Sequence, residues 1–167
     1  DGIKMLADMG FCRAVLPREL SKKEIEKIAA QSPIELEIFV HGALCMCLSG
    51  QCQLSAVLGS RSGNRGLCAQ PCRLPFAAAG GTGHDLSLKD MSLIEYLPEL
   101  AQMGVLSFKI EGRMKRPEYV AAAVTACKKS LAGESAAEYE HTLGAIFSRS
   151  GFTSGYYNGA LGRDMFG

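Results

Sequence analysis

The chain has 167 residues, with 18 Lys and Arg against 17 Asp and Glu, 47% hydrophobic residues, seven cysteines and no Trp. This balance excludes an intrinsically disordered chain and, at a net charge of +1, predicts no strong overall attraction to nucleic acid. No apolar run approaches the roughly 20 residues of a membrane-spanning helix, and the N-terminus has neither an initiator Met nor a signal-peptide core. We therefore expect a soluble protein with no membrane partner, cut from a longer chain.

Helical and strand-like patterns alternate along most of the chain. Ser21 and Glu24 have the spacing of a capping box, and Pro117 suits the first turn of a later helix. The patterns predict helices over residues 2–10, 21–31, 53–58, 87 or 90 to 104, 117–131 and 136–147, and strands over 11–16, 36–40 and 105–110. The tail, 151–167, is rich in Gly and aromatic residues and is expected to be irregular.

Strands that alternate with helices predict an α/β fold with parallel βα repeats. Three strands cannot close a barrel, and a complete eight-stranded TIM barrel needs roughly 250 residues. We therefore expect residues 1–167 to form a single TIM-barrel-like fragment, the C-terminal part of a barrel, with an irregular cysteine-rich insertion over 42–84. The open sheet edge is expected to be covered by a second copy or by the missing N-terminal half of the barrel.

The cysteines are unevenly distributed. Five of them lie in one short stretch, namely Cys45, Cys47, Cys52, Cys68 and Cys72. Secreted disulfide scaffolds are loop-rich and usually have an even number of cysteines, so this cluster indicates thiolates that bind a metal in a reducing compartment, the cytoplasm. Cys12 and Cys127 stand apart and are expected to be core residues.

Four of the clustered cysteines are separated by six, fifteen and three residues: Cys45, Cys52, Cys68 and Cys72. Four thiolates can hold zinc or an iron–sulfur cluster. Structural zinc sites favour two close pairs, so the wide first interval favours ligands gathered around a larger cluster, with zinc as the alternative. Cys47 is left out because residues two apart usually face different ways, although it could replace Cys45. In the simplest alternative, all of them are only small buried apolar residues.

Polar side chains follow two of the predicted strands. His41 comes after the second strand, and Lys109, Glu111 and Arg113 lie at the end of the third. Active sites of βα barrels lie at the carboxyl ends of the strands, so these four residues are the candidate catalytic residues. Glu111 could transfer a proton, Arg113 could bind an anion, and His41 could act as an acid or base or donate a hydrogen bond to a cluster. The alternatives are a structural histidine and a simple Glu111–Arg113 salt bridge.

The cysteine-rich loop is locally basic. Residues 38–84 contain no acidic side chain but three arginines, in a setting of Gly and Asn. Arginine forks bind phosphate or carboxylate, although a merely solvated loop is an equally weighted alternative. For Asp90, a place at a helix N-cap is the alternative to substrate binding. The candidate substrate-binding residues are Arg61, Asn64, Arg65, Arg73, Lys89 and Asp90.

A peptidase needs an activated nucleophile or a hydrolytic metal site. The chain has no Gly-x-Ser-x-Gly elbow and no His-Glu-x-x-His helix. A metal held by four thiolates also leaves no open position for water. A Cys45 nucleophile paired with His41, four residues away, therefore ranks second. A non-catalytic module that binds zinc and RNA is the third hypothesis.

Six segments carry a family resemblance, in this order along the chain: EIFVHGALC (37–45), SGQCQLS (49–55), RSGNRGLCAQPCR (61–73), LKDM (88–91), KIEGRMK (109–115) and GFTSGY (151–156). Together they resemble the collagenase-like peptidase family of unknown catalytic type, U32, over nearly the whole chain. The resemblance implies a barrel-like catalytic region whose N-terminal half, and a small β-rich domain that normally follows, are absent here.

The resemblance also implies an activity. Some members of this family are described as collagenases, and others are similar to oxygen-independent hydroxylases with a four-iron (4Fe-4S) cluster that modify tRNA, ribosomal RNA or a quinone precursor. The RNA-modifying members use prephenate as a co-substrate. The four cysteines chosen above match the cluster positions of the RNA-modifying type, and Cys72 favours that branch over the quinone branch. We therefore expect an iron–sulfur-dependent hydroxylase of tRNA or rRNA, with a collagenase-like peptidase as the alternative.

Overall fold

The structure is a computed structural model that describes residues 1–81, 83–112, 115–148 and 150–167. The helices are α1 (Gly2–Asp8), α2 (Lys22–Ala29), α3 (Leu54–Gly59), α4 (Leu97–Gln102), α5 (Pro117–Leu131), α6 (Ala137–Phe147) and α7 (Gly155–Asn158). The strands are β1 (Arg13–Val15), β2 (Glu35–Gly42), β3 (Asp90–Ser92), β4 (Ser107–Ile110) and β5 (Phe152–Thr153). In the part of the chain that is described, no helix is long and apolar enough to cross a membrane.

β2 is the central strand of the sheet. β1 and β4 run parallel to it on its two sides, since Glu37 pairs with Val15 of β1 and with Ser107 of β4. β3 pairs antiparallel with the end of β2, and β5 runs parallel to β3. The predicted α/β fold with parallel strands is therefore confirmed. The strands of the described residues do not close a barrel.

One face of β2 forms the core with the helices. Leu36, Ile38 and Val40 alternate along the strand and are all almost fully buried, as expected for a strand whose one face packs against helices. The predicted capping box starts α2, where Glu24 Oε2 accepts a hydrogen bond from the backbone N–H of Ser21 at 2.8 Å. The sequence patterns therefore place both the strand and its covering helix correctly.

The opposite face of the same three parallel strands is charged. Arg13 of β1 forms an ion pair with Glu35 of β2 at 2.7 Å, and Lys109 of β4 forms one with Glu37 of β2 at 2.7 Å. Ser107 Oγ also donates to Glu37, at 2.8 Å. We call this group of side chains the charge ladder, because it joins neighbouring strands along one face of the sheet.

The end of β2 contains an irregularity that shapes the site. Phe39 pairs with Lys109 and His41 pairs with Ile110, so Val40 is an extra residue in β2 and forms a bulge. Beyond the bulge, both His41 and Gly42 are buried. The backbone N–H of Glu111 donates to the His41 carbonyl at 2.8 Å, which fixes the segment after β4 against the end of β2.

The predicted helix that begins at residue 87 or 90 is wrong over its first part. Asp90–Ser92 form β3, a turn of 3-10 helix follows at Ile94–Tyr96, and α4 begins only at Leu97. Asp90 is fully buried in the strand, so the N-cap interpretation of this residue is wrong as well. A strand of three residues has too little pattern to be detected, because its pairing with β2 depends on residues about fifty positions earlier in the chain.

The tail is more ordered than its composition predicts. β5 and α7 lie within residues 151–167, and Tyr157 and Met165 are buried in the core. Gly155 permits this packing, since a Cβ at this position would lie 2.7 Å from the Met165 side chain. The aromatic residues of the tail therefore serve packing.

The outer edges of the parallel strands are open. β1 and β4 each pair with β2 alone among the described strands. Val15 in β1, Phe11 before β1 and Leu106 before β4 are exposed apolar residues. Such edges are usually covered in native proteins, so the predicted covering by a second copy or by further barrel strands remains a prediction.

Gly42→Ala is predicted to destabilise the fold by about 2–4 kcal/mol, from steric overlap and unfavourable backbone conformation together. A Cβ at residue 42 would lie 2.6 Å from Glu111 Cβ, and the backbone φ of Gly42 is +124°. The measurement is the free energy of unfolding in urea.

Gly10→Ala is the matched control for this prediction. Gly10 also has a positive φ, +86°, but a Cβ there meets nothing within 4 Å. Its cost should stay near 1 kcal/mol, the cost of the backbone conformation alone. Equal losses in the two variants would show that the approach of Glu111 to Gly42 is not a constraint.

Candidate functional site

The cysteine-rich loop encloses a cavity of about 590 Å³. The cavity is lined by the four predicted ligands and by the fifth clustered cysteine: Cys45, Cys47, Cys52, Cys68 and Cys72. The chain thus brings thiols from separate parts of the loop to one place. We call this space the cysteine cavity.

Cys47, which is left out of the predicted ligand set, lines the same cavity as Cys45, in an irregular segment of the loop. One expectation about the isolated cysteines is wrong: Cys12 is exposed, whereas Cys127 is buried in α5 as expected. Chain position alone could not separate these two residues, since each is an isolated cysteine with an apolar residue before it and a basic residue after it.

Local hydrogen bonds hold Cys68 in the wall of the cavity. Ser55, buried in α3, donates through Oγ to Cys68 Sγ at 3.6 Å and accepts from the Ala69 N–H at 3.1 Å. The Gln70 N–H also donates to Cys68 Sγ, at 3.3 Å. Asn64 Nδ2 donates to the Gly50 carbonyl at 2.8 Å, which joins two segments of the wall.

The electrostatic surroundings of Cys45 mix opposing effects. Burial raises the pKa of its thiol, and the neighbouring Cys72 and Cys68 act in the same direction. Arg18 and Arg73 oppose the shift because their positive charges favour the thiolate. Among the described residues, no three or more His, Cys, Asp or Glu side chains are placed as ligands of one metal ion.

Arg73 joins three parts of the site. Its guanidinium donates to Ser87 Oγ at 2.8 Å and to the carbonyls of Leu88 and Leu44. Leu44 immediately precedes Cys45, and Arg73 immediately follows Cys72. The structure therefore uses this predicted substrate-binding residue to fasten the two ends of the cysteine loop to each other.

The other predicted substrate-binding residues are dispersed. Asn64 lines the cysteine cavity, whereas Arg61 Nε donates to the Leu67 carbonyl at 2.9 Å and Arg65 is exposed. Lys89 Nζ donates to the Asp164 carbonyl at 2.8 Å. Asp90, as described above, is buried in β3. Of this set, Asn64 alone is on the wall of the cavity.

A buried histidine–tyrosine pair lies where β2 ends. His41 is fully buried, and its Nδ1 is 2.7 Å from the hydroxyl of Tyr119 in the first turn of α5. The ring of His41 also packs against Phe152, with ring centroids 5.0 Å apart. Burial, and then the charge of Lys115, lowers the pKa of His41 to about 4, so the imidazole is neutral at neutral pH.

Tyr119 is a site residue that the sequence pattern does not reveal. Burial raises the pKa of its hydroxyl, and the carboxylates of Asp90 and Glu111 add to that shift. The hydroxyl also lies 3.4 Å from the Glu111 carbonyl, to which it can donate. Its position near the start of a helix after the motif of residues 109–115 is the only available signal, and helical periodicity assigns it simply to the core.

Glu111 connects this pair with the cysteine cavity. Its Oε2 accepts a hydrogen bond from Arg18 Nη2 at 3.2 Å, and the Arg18 guanidinium lies 3.7 Å from the centre of the Phe39 ring. Arg18 itself lines the cysteine cavity. The salt bridge considered for Glu111 thus involves Arg18, while Arg113 lies outside the described residues.

Lys109 is placed apart from these groups. Its Nζ pairs with Glu37 in the charge ladder, and its side chain is 43% exposed. A catalytic role for Lys109 is not supported by any contact with His41 or Glu111 among the described residues. Of the predicted catalytic residues, His41 and Glu111 are brought together.

The chain thus has the fold and site of an α/β protein with polar groups at its strand ends beside a multi-cysteine cavity. The model of Peptidase family U32 matches residues 1–165, and the chain belongs to this family. No solved structure matches the chain at a significant level.

Similar proteins carry two kinds of name. The chain is 44% identical over 124 residues to the 23S rRNA 5-hydroxycytidine C2501 synthase of Escherichia coli, which covers 70% of this chain and 19% of that protein. It is 38% identical over 142 residues to the tRNA hydroxylation protein P1 of Bacillus subtilis (77% and 34% covered). It is 36% identical over 142 residues to a collagenase of Porphyromonas gingivalis (76% and 39% covered). The chain spans about a fifth to two fifths of these relatives.

Arg73→Gln should loosen the cysteine loop, because each lost charged hydrogen bond costs about 1.5–3 kcal/mol. Limited proteolysis should cut residues 42–84 at least about tenfold faster than in the unmodified protein. Mass spectrometry of the fragments locates the cuts. Arg65→Gln, at an exposed position in the same loop, is the control; similar cleavage of both variants would contradict the fastening role.

The buried His41 should make stability depend on pH. Because its pKa in the folded state lies below the ordinary 6.5, the unfolded chain takes up the proton first as the pH falls. The contribution is fully present above pH 6.5 and is lost between about 6.5 and 4. Urea unfolding should give about 2 kcal/mol less stability at pH 5 than at pH 7.5. In His41→Gln this difference should vanish; an unchanged difference would assign the pH dependence to other groups.

Proposed function

We propose that the chain is the cluster-binding and catalytic part of an iron–sulfur-dependent, oxygen-independent hydroxylase that acts on bases of tRNA or rRNA. The observation that carries this proposal is the convergence of Cys45, Cys52, Cys68 and Cys72 on one cavity. Relatives that are named as tRNA and rRNA hydroxylation proteins support the choice of substrate.

The donor set suits a 4Fe-4S cluster, because thiolates are its usual protein ligands and the cavity is also lined by apolar side chains. Cys45, Cys52, Cys68 and Cys72 would hold the group, with Cys47 as a fifth thiol in the same cavity. The cluster would supply electron-transfer chemistry. Zinc remains the alternative occupant of a four-thiolate site.

The side chains at the strand ends would handle protons. His41 is neutral at neutral pH and is held at Nδ1 by Tyr119, so its ring orientation is fixed. Glu111 is partly exposed and can accept a proton from a group that enters from the cavity side. Arg113 stays a proposed anion-binding residue.

RNA would approach from the loop that carries Arg61 and Arg65, since arginine at an exposed loop suits phosphate contacts. A carboxylate co-substrate such as prephenate would enter the cavity. Further barrel strands, the N-terminal half of a TIM-like barrel in the natural chain, would cover the open edge of β1, and a second copy of the chain is the alternative. The expected compartment is the cytoplasm.

A collagenase-like peptidase is the second candidate, because two relatives named collagenase are 36% and 33% identical to this chain, close to the 38% of the tRNA hydroxylation protein P1. It would need Cys45 activated by His41. Because His41, among the described residues, is hydrogen-bonded to Tyr119 and not to Cys45, the arrangement supports the hydroxylase over the peptidase.

The proposal is tested on the full natural chain, purified without oxygen. The protein should be brown and contain about four irons. Serine at any of the four ligand positions should lower the iron content by at least half, and Cys127→Ser, at a cysteine that does not line the cavity, should leave it unchanged. Colourless protein with one zinc would contradict the cluster.

The substrate is tested separately in cells. Deletion of the gene should remove one hydroxylated nucleoside from digests of tRNA or rRNA, measured by mass spectrometry. The unmodified gene should restore it, and the gene with Cys72→Ser should not. Retained nucleosides, together with cleavage of denatured collagen that is lost in Cys45→Ser, would favour the peptidase.

A further inference from the structure

We propose that Arg18 binds the carboxylate of a small organic co-substrate inside the cysteine cavity. This inference rests on the proposed function, because it concerns the same cavity. It names a residue outside the family motifs described above, since Arg18 follows β1 and Pro17 in a part of the chain with no such motif.

The first step is the place of Arg18 in the cavity. Arg18 is the only Arg, Lys, Asp or Glu among the described residues that line the cysteine cavity. The other lining residues are cysteines, uncharged polar residues and apolar residues such as Leu48, Leu54 and Val57. A ligand that matches this wall has one anionic group and an apolar carbon skeleton. Inorganic phosphate or an RNA backbone lacks the apolar part.

The second step is that the guanidinium is held in place. The Arg18 side chain is only 13% exposed, its guanidinium carbon lies 3.7 Å from the centre of the Phe39 ring, and it is anchored by Glu111 Oε2. An arginine fixed in this way loses little side-chain entropy when it binds a further partner. Its planar fork matches the geometry of a carboxylate.

The third step is unused hydrogen-bonding capacity. Arginine has five N–H donors. Within the described part of the chain, Glu111 is the one acceptor that Arg18 reaches, through Nη2. The remaining donors can therefore serve a ligand. Glu111 competes with that ligand for the positive charge of Arg18. Removal of the Glu111 carboxylate should therefore strengthen ligand binding, whereas removal of Arg18 should weaken it.

Two other roles would leave ligand binding unaffected. Arg18 could serve only as the partner of Glu111, or it could only balance negative charge on Cys45, whose thiolate it favours. In both cases a neutral molecule of the same shape would bind the cavity as well as its acid. This contrast is the basis of the experiment.

The probe is 3-phenylpropionate, with its neutral amide as the matched control. Both are titrated by calorimetry into the full chain, purified anaerobically. The acid should bind more tightly than the amide, and Arg18→Gln should weaken the acid about tenfold or more without affecting the amide. Arg18→Lys keeps the positive charge but not the planar guanidinium. Its affinity for the acid should lie between those of the unmodified protein and of Arg18→Gln. Lys128→Gln, at an exposed position of α5 that does not line the cavity, should have no effect.

Glu111→Gln supplies the opposite change. Removal of the competing carboxylate should strengthen binding of the acid several-fold and should not alter the amide. This arm also keeps the proposal testable if Arg18→Gln fails to fold. An acid that binds no better than its amide, or equally well to Arg18→Gln, would overturn the proposal.

Inorganic phosphate is the competitor that tests an RNA backbone as the source of the anion. Displacement of the probe by phosphate at an equal concentration would overturn the proposal that Arg18 binds an organic carboxylate. It would favour a phosphate of the RNA backbone as the bound anion. Iron content and hydroxylated nucleosides are measured separately from the calorimetry, and the acid and amide are compared on preparations of equal iron content. Failure of this inference is therefore distinguishable from failure of the proposed function.

Discussion

The bulge at Val40 is the constraint on which the rest of the site depends. One extra residue near the end of β2 leaves both His41 and Gly42 buried, where strict alternation would bury one of them. His41 thereby meets Tyr119, and Gly42 leaves room for Glu111. Through Arg18, Glu111 then touches the cysteine cavity. The buried His41–Tyr119 pair and the cysteine cavity are thus joined at one strand end.

The parts of the site that are local in sequence could be predicted. The capping box at Ser21, the strand before His41 and the concentration of cysteines all depend on residues close to one another in the chain. The parts that depend on distant partners could not be. Arg18 meets Glu111 across 93 positions, and Tyr119 meets His41 across 78. Neither contact leaves a periodic signal.

The cysteine loop illustrates the same division in one segment. Composition identifies a concentration of thiols, but an irregular loop has no rule for side-chain direction, so the sequence alone could not place Cys47 relative to Cys45. An arginine in a basic loop suggests an anionic ligand, but in the structure backbone carbonyls accept hydrogen bonds from Arg73. Basic residues in a cysteine-rich loop can therefore serve the folding of the loop as much as the binding of a ligand.

The charge ladder affects the register in which the parallel strands pair. Arg13, Glu37 and Lys109 come from three different strands, and their attraction is strongest when the strands are paired as observed. A slip of one residue would turn these charges toward the face occupied by Leu36 and Ile38, where they would lose both water and partners. The ladder thus penalises misaligned parallel strands, so that the strand ends reach the same level and bring their polar groups together.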